Sequence, residues 1–372
     1  MCGRGRPAGT VSVHRCTVGP MTQTLSMPAD LIASIPAFLG FYPTDSLVMV
    51  ALDPRQTLER YSRVGPVTRA DLFDGDAVAG TVGALADVGV TAAFAFFVGE
   101  DPGEGLSHTG TAAVLHREAA YRGIRMLGAW WVPSIISGAP YRILADVTGG
   151  TPGVTGSSGT DRWREGVIPD IITAAAMREL VSDGGTLPEL TRREALDFFA
   201  RSTSGPPEHL VRCIAERAES WGREVVEGGH QAGGESSPAD FLDNYLSDLI
   251  REIGRILDSG GNPTENVSLL SGAARLMTQR KIRDLVLRRA VCPENTVPLA
   301  ELMLAVARTF SGDIRCNALC VYAVALIARG RTTRVWSALR SASDENPHHR
   351  LTGLLLSAYG RGRFDLILES CR

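Results

Sequence analysis

Residues 31–53 read LIASIPAFLGFYPTDSLVMVALD, and this stretch decides the fold class. Leu31, Ile35, Phe38 and Leu39 recur at helical spacing, which predicts an amphipathic helix running into Pro36. The turn Gly40-Phe41-Tyr42-Pro43 follows. Gly40 permits a backbone conformation that a side chain forbids, and Pro43 presets the turn. Asp45-Ser46 then opens a continuous apolar run from Leu47 to Leu52, of the length and composition of a buried strand. Helix, tight turn and core strand in that order mark the start of an α/β domain.

Further along, residues 59–67 read as a second short strand closed by Gly65-Pro66. Residues 68–89 read as a helix, with Leu72, Val78, Val82, Leu85 and Val88 as its apolar stripe and Gly89 at the C-cap position. VTAAFAFFV (90–98) is a buried strand, 99–110 a loop and 111–123 a helix. IRMLGAWWV (124–132) is the next strand, and APYRILADV (139–147) its hairpin partner. This succession requires crossovers, so the expected architecture is a mixed, partly parallel sheet with flanking helices.

After the small, polar loop at 149–161, the period becomes helical at 169–180, 191–201, 208–227, 238–257 and 265–290, with a second polar break at 228–237. The expected division is an α/β domain over 21–185 and an all-helical C-terminal region over 186–372. Within the latter, helices at 297–309, 313–328, 331–343 and 348–359 are joined by very short connections and form a helical-hairpin tail over 297–370. The hairpins resemble degenerate tetratricopeptide repeats. They amount to about one and a half units where ~3 sustain a solenoid, so docking on the rest of the protein is the simpler account. Residues 1–20 lack the apolar core of a signal peptide and read as disordered or as a mis-assigned start, with Met21 and Met27 as alternative first residues.

Composition excludes several functions. Over 372 residues the formal net charge is −3, which argues against a general nucleic-acid binder. No apolar run reaches the ~18 residues of a membrane span. The seven cysteines are scattered, odd in number and free of CxxC pairs, the usage of a reduced, cytoplasmic protein. Lys281 is the only lysine, and it lacks an adjacent glycine loop. That disfavours a P-loop, a protein kinase and a Schiff-base enzyme, each of which needs a specifically placed lysine. No HExxH, GxSxG or zinc-ribbon spacing occurs, and no cofactor or metal is expected.

The block IPAFLGFYPTDSLVMVAL (35–52), Trp130-Trp131 followed by Gly138-Ala139-Pro140-Tyr141-Arg142, and Gly312-Asp313 with Asn346-Pro347 resemble one family. It is the actinobacterial domain of unknown function family 4192, and the resemblance covers most of residues 28–365. It implies an intracellular protein and no assigned activity, substrate or cofactor. Relatives carry several cysteines soon after the element matching Tyr141-Arg142. Residues 143–160 hold none, which argues against a metal or redox role for that loop here.

The candidate surface is Asp45, Ser46, Trp130, Trp131, Tyr141 and Arg142. Asp45 could serve as a ligand or catalytic carboxylate, but turn chemistry explains it first: its side chain bonding turn amides, helped by Ser46. Trp130 and Trp131 alternate faces, so one can be core and the other exposed or covered. With Tyr141 and Arg142 on the next strand they form either a recognition patch or a cross-strand packing cluster. The loop at 99–110 precedes a helix, where open α/β sheets bind ligands. Its Gly103-x-Gly105 lacks a third glycine in register, and Asp101 and Glu104 would repel phosphate. Cys316 and Cys320, four apart on a helix, fit buried small hydrophobes better than metal ligands. Arg280, Lys281, Arg283, Arg288 and Arg289 fit a solvated helix face. The expectation is a non-catalytic ligand- or partner-binding module with a helical interaction tail. The competing class is a hydrolase using Asp45 with a residue of the 99–110 loop.

Overall fold

The computed structural model of the chain describes residues 12–15, 27–58, 61–100, 108–144, 161–182, 185–227 and 238–372. The polar loops expected at 99–110, 149–161 and 228–237 lie largely outside these residues. The first helix, α1 (Pro28–Leu39), is buried at every residue except Asp30, so it is enclosed on all sides and not amphipathic. It also continues through Pro36 for a further turn. A proline forfeits one helical bond, and the burial of Ala37, Phe38 and Leu39 offsets that loss. Gly40, at φ 80°, ends the helix with its N–H on Pro36 O at 2.8 Å.

Two compact units divide the chain. The first comprises Met1–Ala195 with Tyr359–Arg363, the second Leu196–Ala358 with Phe364–Arg372. In the first, β1 (Ser12–Arg15), β2 (Ser46–Leu58), β3 (Tyr61–Asp71), β4 (Ala92–Val98), β5 (Arg125–Val132), β6 (Pro140–Ile143) and β7 (Glu165–Val167) form one sheet in the order β1-β3-β2-β4-β5-β6-β7. Only β4 and β5 run parallel; every other neighbouring pair is antiparallel. The sheet is therefore mixed, with flanking helices, as the pattern of strands and helices implied. β1 falls inside residues 1–20, which the sequence reads as disordered or as a mis-assigned start.

The helices α2 (Gly75–Asp87) and α3 (His108–Tyr121) pack on one face, against Leu47, Met49, Phe97 and Ala129. On the other face, α1 and α5 (Ala175–Ser182) cover Val48, Val50, Phe96 and Trp130. The period-2 alternation of side chains along each strand sorts these two sets. Short α4 (Asp161–Arg164) precedes β7, and α6 (Arg192–Asp197) lies at the boundary between the units.

Two boundaries differ from the sequence reading. β3 runs through Gly65-Pro66 to Asp71, because Thr68–Asp71 pair with Ser46–Met49 of β2. The helix read from residue 68 begins only at Gly75, where the Asp74 carboxylate caps Ala77 N at 2.9 Å. A partner strand supplies the bonds that local propensity would have spent on a helix.

The second unit is helical: α7 (Glu208–Val226), α8 (Pro238–Asp258), α9 (Val267–Leu276), α10 (Arg280–Ala290), α11 (Thr296–Thr309), α12 (Gly312–Ala328), α13 (Val335–Glu345), α14 (Arg350–Gly360) up to Ala358, and α15 (Phe364–Ser370). The single helix read at 265–290 is two, broken at Met277–Gln279, where Gln279 is extended. Every residue of α12 from Ile314 to Ile327 is buried, and α10, α11, α13 and α15 touch it. A helix enclosed on all sides is the centre of a bundle. Among the described residues no helix is long and apolar enough to cross a membrane.

Candidate functional site

The site lies at the end of the sheet where the parallel strands β4 and β5 finish and β2 begins. Asp45 adopts φ 45°, a left-handed conformation that Asp tolerates better than most residues. Its carbonyl accepts from Leu72 N at 2.9 Å, closing the end of the β2–β3 ladder. Its carboxylate stands over Gly99, the residue after β4: a methyl group at Gly99 would lie 3.1 Å from Oδ1. The side-chain bond that holds the turn comes from Ser46, whose Oγ donates to Thr44 O at 2.6 Å.

Ser46 is otherwise engaged by a residue the sequence reading passed over. Arg69 of β3 is 5% exposed, and its Nε donates to Ser46 Oγ at 2.8 Å. Arg69 Nη1 lies 2.6 Å from Asp71 Oδ1, and Arg192 Nη1 stands 3.9 Å from the same oxygen. A buried guanidinium demands such partners. Arg69 stands at the inward parity of β3, two residues from the core Val67, a parity that its pairing with Val48 of β2 sets and that the helical reading of 68–89 hid. Thr111 Oγ1 donates to Leu72 O at 2.7 Å, tying the first turn of α3 to the end of β3.

The pleat divides the proposed aromatic patch. Trp130 is fully buried on the α1 face, stacked on Phe96 at 5.5 Å and beside Trp163 at 6.0 Å, with Nε1 donating to Trp163 O at 2.7 Å. Tyr141, 3% exposed, belongs to the same core. These two are packing residues, so as members of a recognition surface they are corrected. Trp131 and Arg142 pair across β5 and β6 on the opposite face, with the guanidinium 4.6 Å from the indole centroid. Trp131 is half-buried and Arg142 exposed. Trp131 Nε1 donates to Gly99 O at 3.0 Å. Gly99 thus joins Asp45 to the Trp131–Arg142 pair, so three of the six candidates share one rim. Ser46, at the parity of Val48, bonds Arg69 on the other face of the sheet.

The remaining candidates have structural roles. Cys316 and Cys320 are buried, and burial pushes both thiols up to about 12. Cys316 Sγ donates to Ala342 O at 3.4 Å. The basic stripe of α10 is not uniformly solvated: Arg283 is buried and bonded to Asn317 and Asp284, while Arg289 pairs with Asp243 at 3.4 Å. Two more arginines, half-buried Arg308 and buried Arg315, clamp backbone in the second unit. Arg308 donates to Phe198 O and Arg315 to Phe199 O at 2.8 Å. Among the described residues no group of three or more His, Cys, Asp or Glu side chains is placed to hold a metal ion. Asp101, Gly103, Glu104, Gly105 and Ser107 lie outside the described residues.

A family model described as a domain of unknown function (DUF4192) matches residues 28–363. No curated protein and no solved structure matches the chain.

Proposed function

This chain belongs to the DUF4192 family, and we propose that it is a cytoplasmic, non-catalytic module that binds a small ligand or a protein partner. The observation that carries this reading is the Trp131–Arg142 pair beside Gly99, at the carboxyl end of the parallel strands. An indole with a guanidinium across it offers a flat apolar surface and a charge together, suited to a planar or anionic group. Open α/β sheets present ligand sites at this end. Asp45, exposed on the same rim, adds an acceptor.

Ser46, with its proton committed to Thr44 O and its oxygen to the Arg69 guanidinium, holds the turn under this rim. The competing hydrolase would use Asp45 with a residue of the 99–110 loop, and it requires turnover that Asp45→Asn abolishes.

The test is affinity purification of the full chain with native mass spectrometry of whatever co-purifies, repeated on Arg142→Ala and Trp131→Ala. A molecule or protein retained by the wild type and lost from both variants supports the binding reading. Recovery of nothing but the chain itself counts against it.

A further inference from the structure

His349, the residue before α14, sits in a hydrogen-bond chain whose polarity follows bond by bond. Asn317 Nδ2 donates to Met277 O at 2.8 Å, which leaves Asn317 Oδ1 as the acceptor for Arg283 Nη1 at 3.0 Å. His349 Nε2 lies 3.2 Å from that same Oδ1. Facing an acceptor, Nε2 carries the proton, and Nδ1 is left as the bare lone pair. Nδ1 accepts from Thr352 Oγ1 at 2.7 Å and from Thr352 N at 3.4 Å. With the threonine proton given to His349, Cys320 S–H donates to Thr352 Oγ1 at 3.3 Å. One proton arrangement satisfies every bond from α10 through α12 to α14.

The register along α14 gives this chain its consequence. Arg350 is the first helical residue, so His349 is the N-cap and Thr352 the N3 position. An N-cap side chain commonly accepts from N3, and here the acceptor is an imidazole nitrogen in place of the usual oxygen. We infer that His349 is a proton-operated cap: a second proton on Nδ1 uncaps α14 and loosens its first turn. The added proton turns the acceptor of the Thr352 amide into a donor; the Thr352 hydroxyl can reverse its bond to Nδ1, but the amide N–H cannot. The proton also adds positive charge at the positive end of a helix dipole.

The charged groups around the ring set the direction. Burial lowers the His349 pKa from its ordinary 6.5; Asp313 of α12 raises it and Arg283 of α10 lowers it. Asp313 also accepts from Asn346 Nδ2 at 2.9 Å, and Asp284 is held by Arg283. Glu345 of α13 is turned to Gly312 and Arg315. Cys320 is a neutral thiol, pushed up to about 12. Above the ordinary value of 6.5 the ring is neutral both folded and unfolded, and its contribution is fully present. As pH falls below that value the unfolded chain takes the proton first, so the contribution is lost towards the lower folded pKa.

The test is hydrogen exchange of the full chain followed by mass spectrometry from about pH 7.5 to about pH 5, corrected for intrinsic rates. Wild type is expected to lose about fivefold protection across 350–358, the size of a lost cap. His349→Asn, which caps without titrating, is expected to hold its protection flat. Equal pH-dependent loss in the variant, or no loss in the wild type, overturns the inference. Should the variant fail to fold, nitrogen NMR of the wild-type imidazole decides. A neutral Nε2–H tautomer near pH 7.5 supports the cap; an Nδ1–H tautomer or an imidazolium there refutes it.

Discussion

Gly128→Ala tests the packing beneath the candidate site. β5 bulges here: Ala93 of β4 faces Met126 and Phe94 faces Gly128, so one residue of β5 is extra. Beyond the bulge the Trp130 indole folds back over Gly128. A Cβ at position 128 would lie 2.1 Å from Cη2, 2.7 Å from Cζ3 and 2.9 Å from Cζ2 of that ring. Carbon atoms rest at ~3.5 Å or more, so the ring must move by over 1 Å. It has little room, because Phe96 stacks on it at 5.5 Å, Phe94 lies at 5.9 Å, and its N–H is fixed to Trp163 O. Overpacking of this kind costs about 1–3 kcal/mol, and loss of the indole bond adds about 1 kcal/mol. Alanine is a better strand residue than glycine and returns up to about 1 kcal/mol. The expected net loss is about 2 kcal/mol, a fall of roughly 1 M in the urea midpoint of the first unit. Urea titration followed by near-ultraviolet circular dichroism measures it. Trp130→Phe in the Gly128→Ala background should recover part of the loss, since the smaller ring clears the new methyl. A Gly128→Ala protein within about 0.5 kcal/mol of wild type, or a double variant with purely additive loss, would refute the argument.

Other perturbations read other parts of the molecule. Ser46→Ala strips the buried Arg69 guanidinium of its Nε partner and is expected to cost about 2 kcal/mol in the same titration; an unchanged midpoint would show that Asp71 alone suffices. Native-state alkylation near neutral pH should modify the partly exposed Cys213 and Cys292 well before Cys316 and Cys320, whose thiols burial holds at about 12; mass spectrometry finding comparable rates would contradict that. Glu301 has its pKa raised by burial, against the opposing pull of Arg308, Arg329 and Arg334. Its folded form therefore binds a proton more readily than its unfolded form. Stability contributed by that proton is present at low pH and lost as pH rises from the ordinary 4.5 through the folded pKa. Relative to wild type, Glu301→Gln should gain stability over that rise; a difference flat in pH would sink the assignment.

The family, the mixed sheet and the helical second half were legible because they rest on local patterns. The run Leu47–Leu52 is apolar at consecutive positions, and the helices of the second unit repeat at 3.6. The boundary at β3 was not legible. Thr68–Asp71 hold strand geometry because β2 lies beside them, and nothing within those four residues says so. The break at Met277–Gln279 was hidden for a similar reason, since residues 265–290 carry one nearly continuous helical pattern. Of the candidate site, alternation foretold that Trp130 and Trp131 part company, but not which one the core would take.

The sequence by itself determined that a helix, a tight turn and a core strand follow one another over residues 31–53. Gly40 ends one helix, Pro43 presets the turn, and the apolar run after Ser46 has no stable place but a core. It also determined which chemistries lack their residues, above all those that need a placed lysine. Only the tertiary structure decided what Asp45, Ser46, Trp131 and Arg142 have in common. Gly99 accepts the indole N–H and lies under the Asp45 carboxylate, while Arg69 reaches Ser46 from 23 residues away. The same holds for His349, made a cap by Asn317 and Thr352 on separate helices. Local propensity acts through neighbours in the chain. Hydrogen bonds between buried side chains act through neighbours in space, and strand order and helix packing set those.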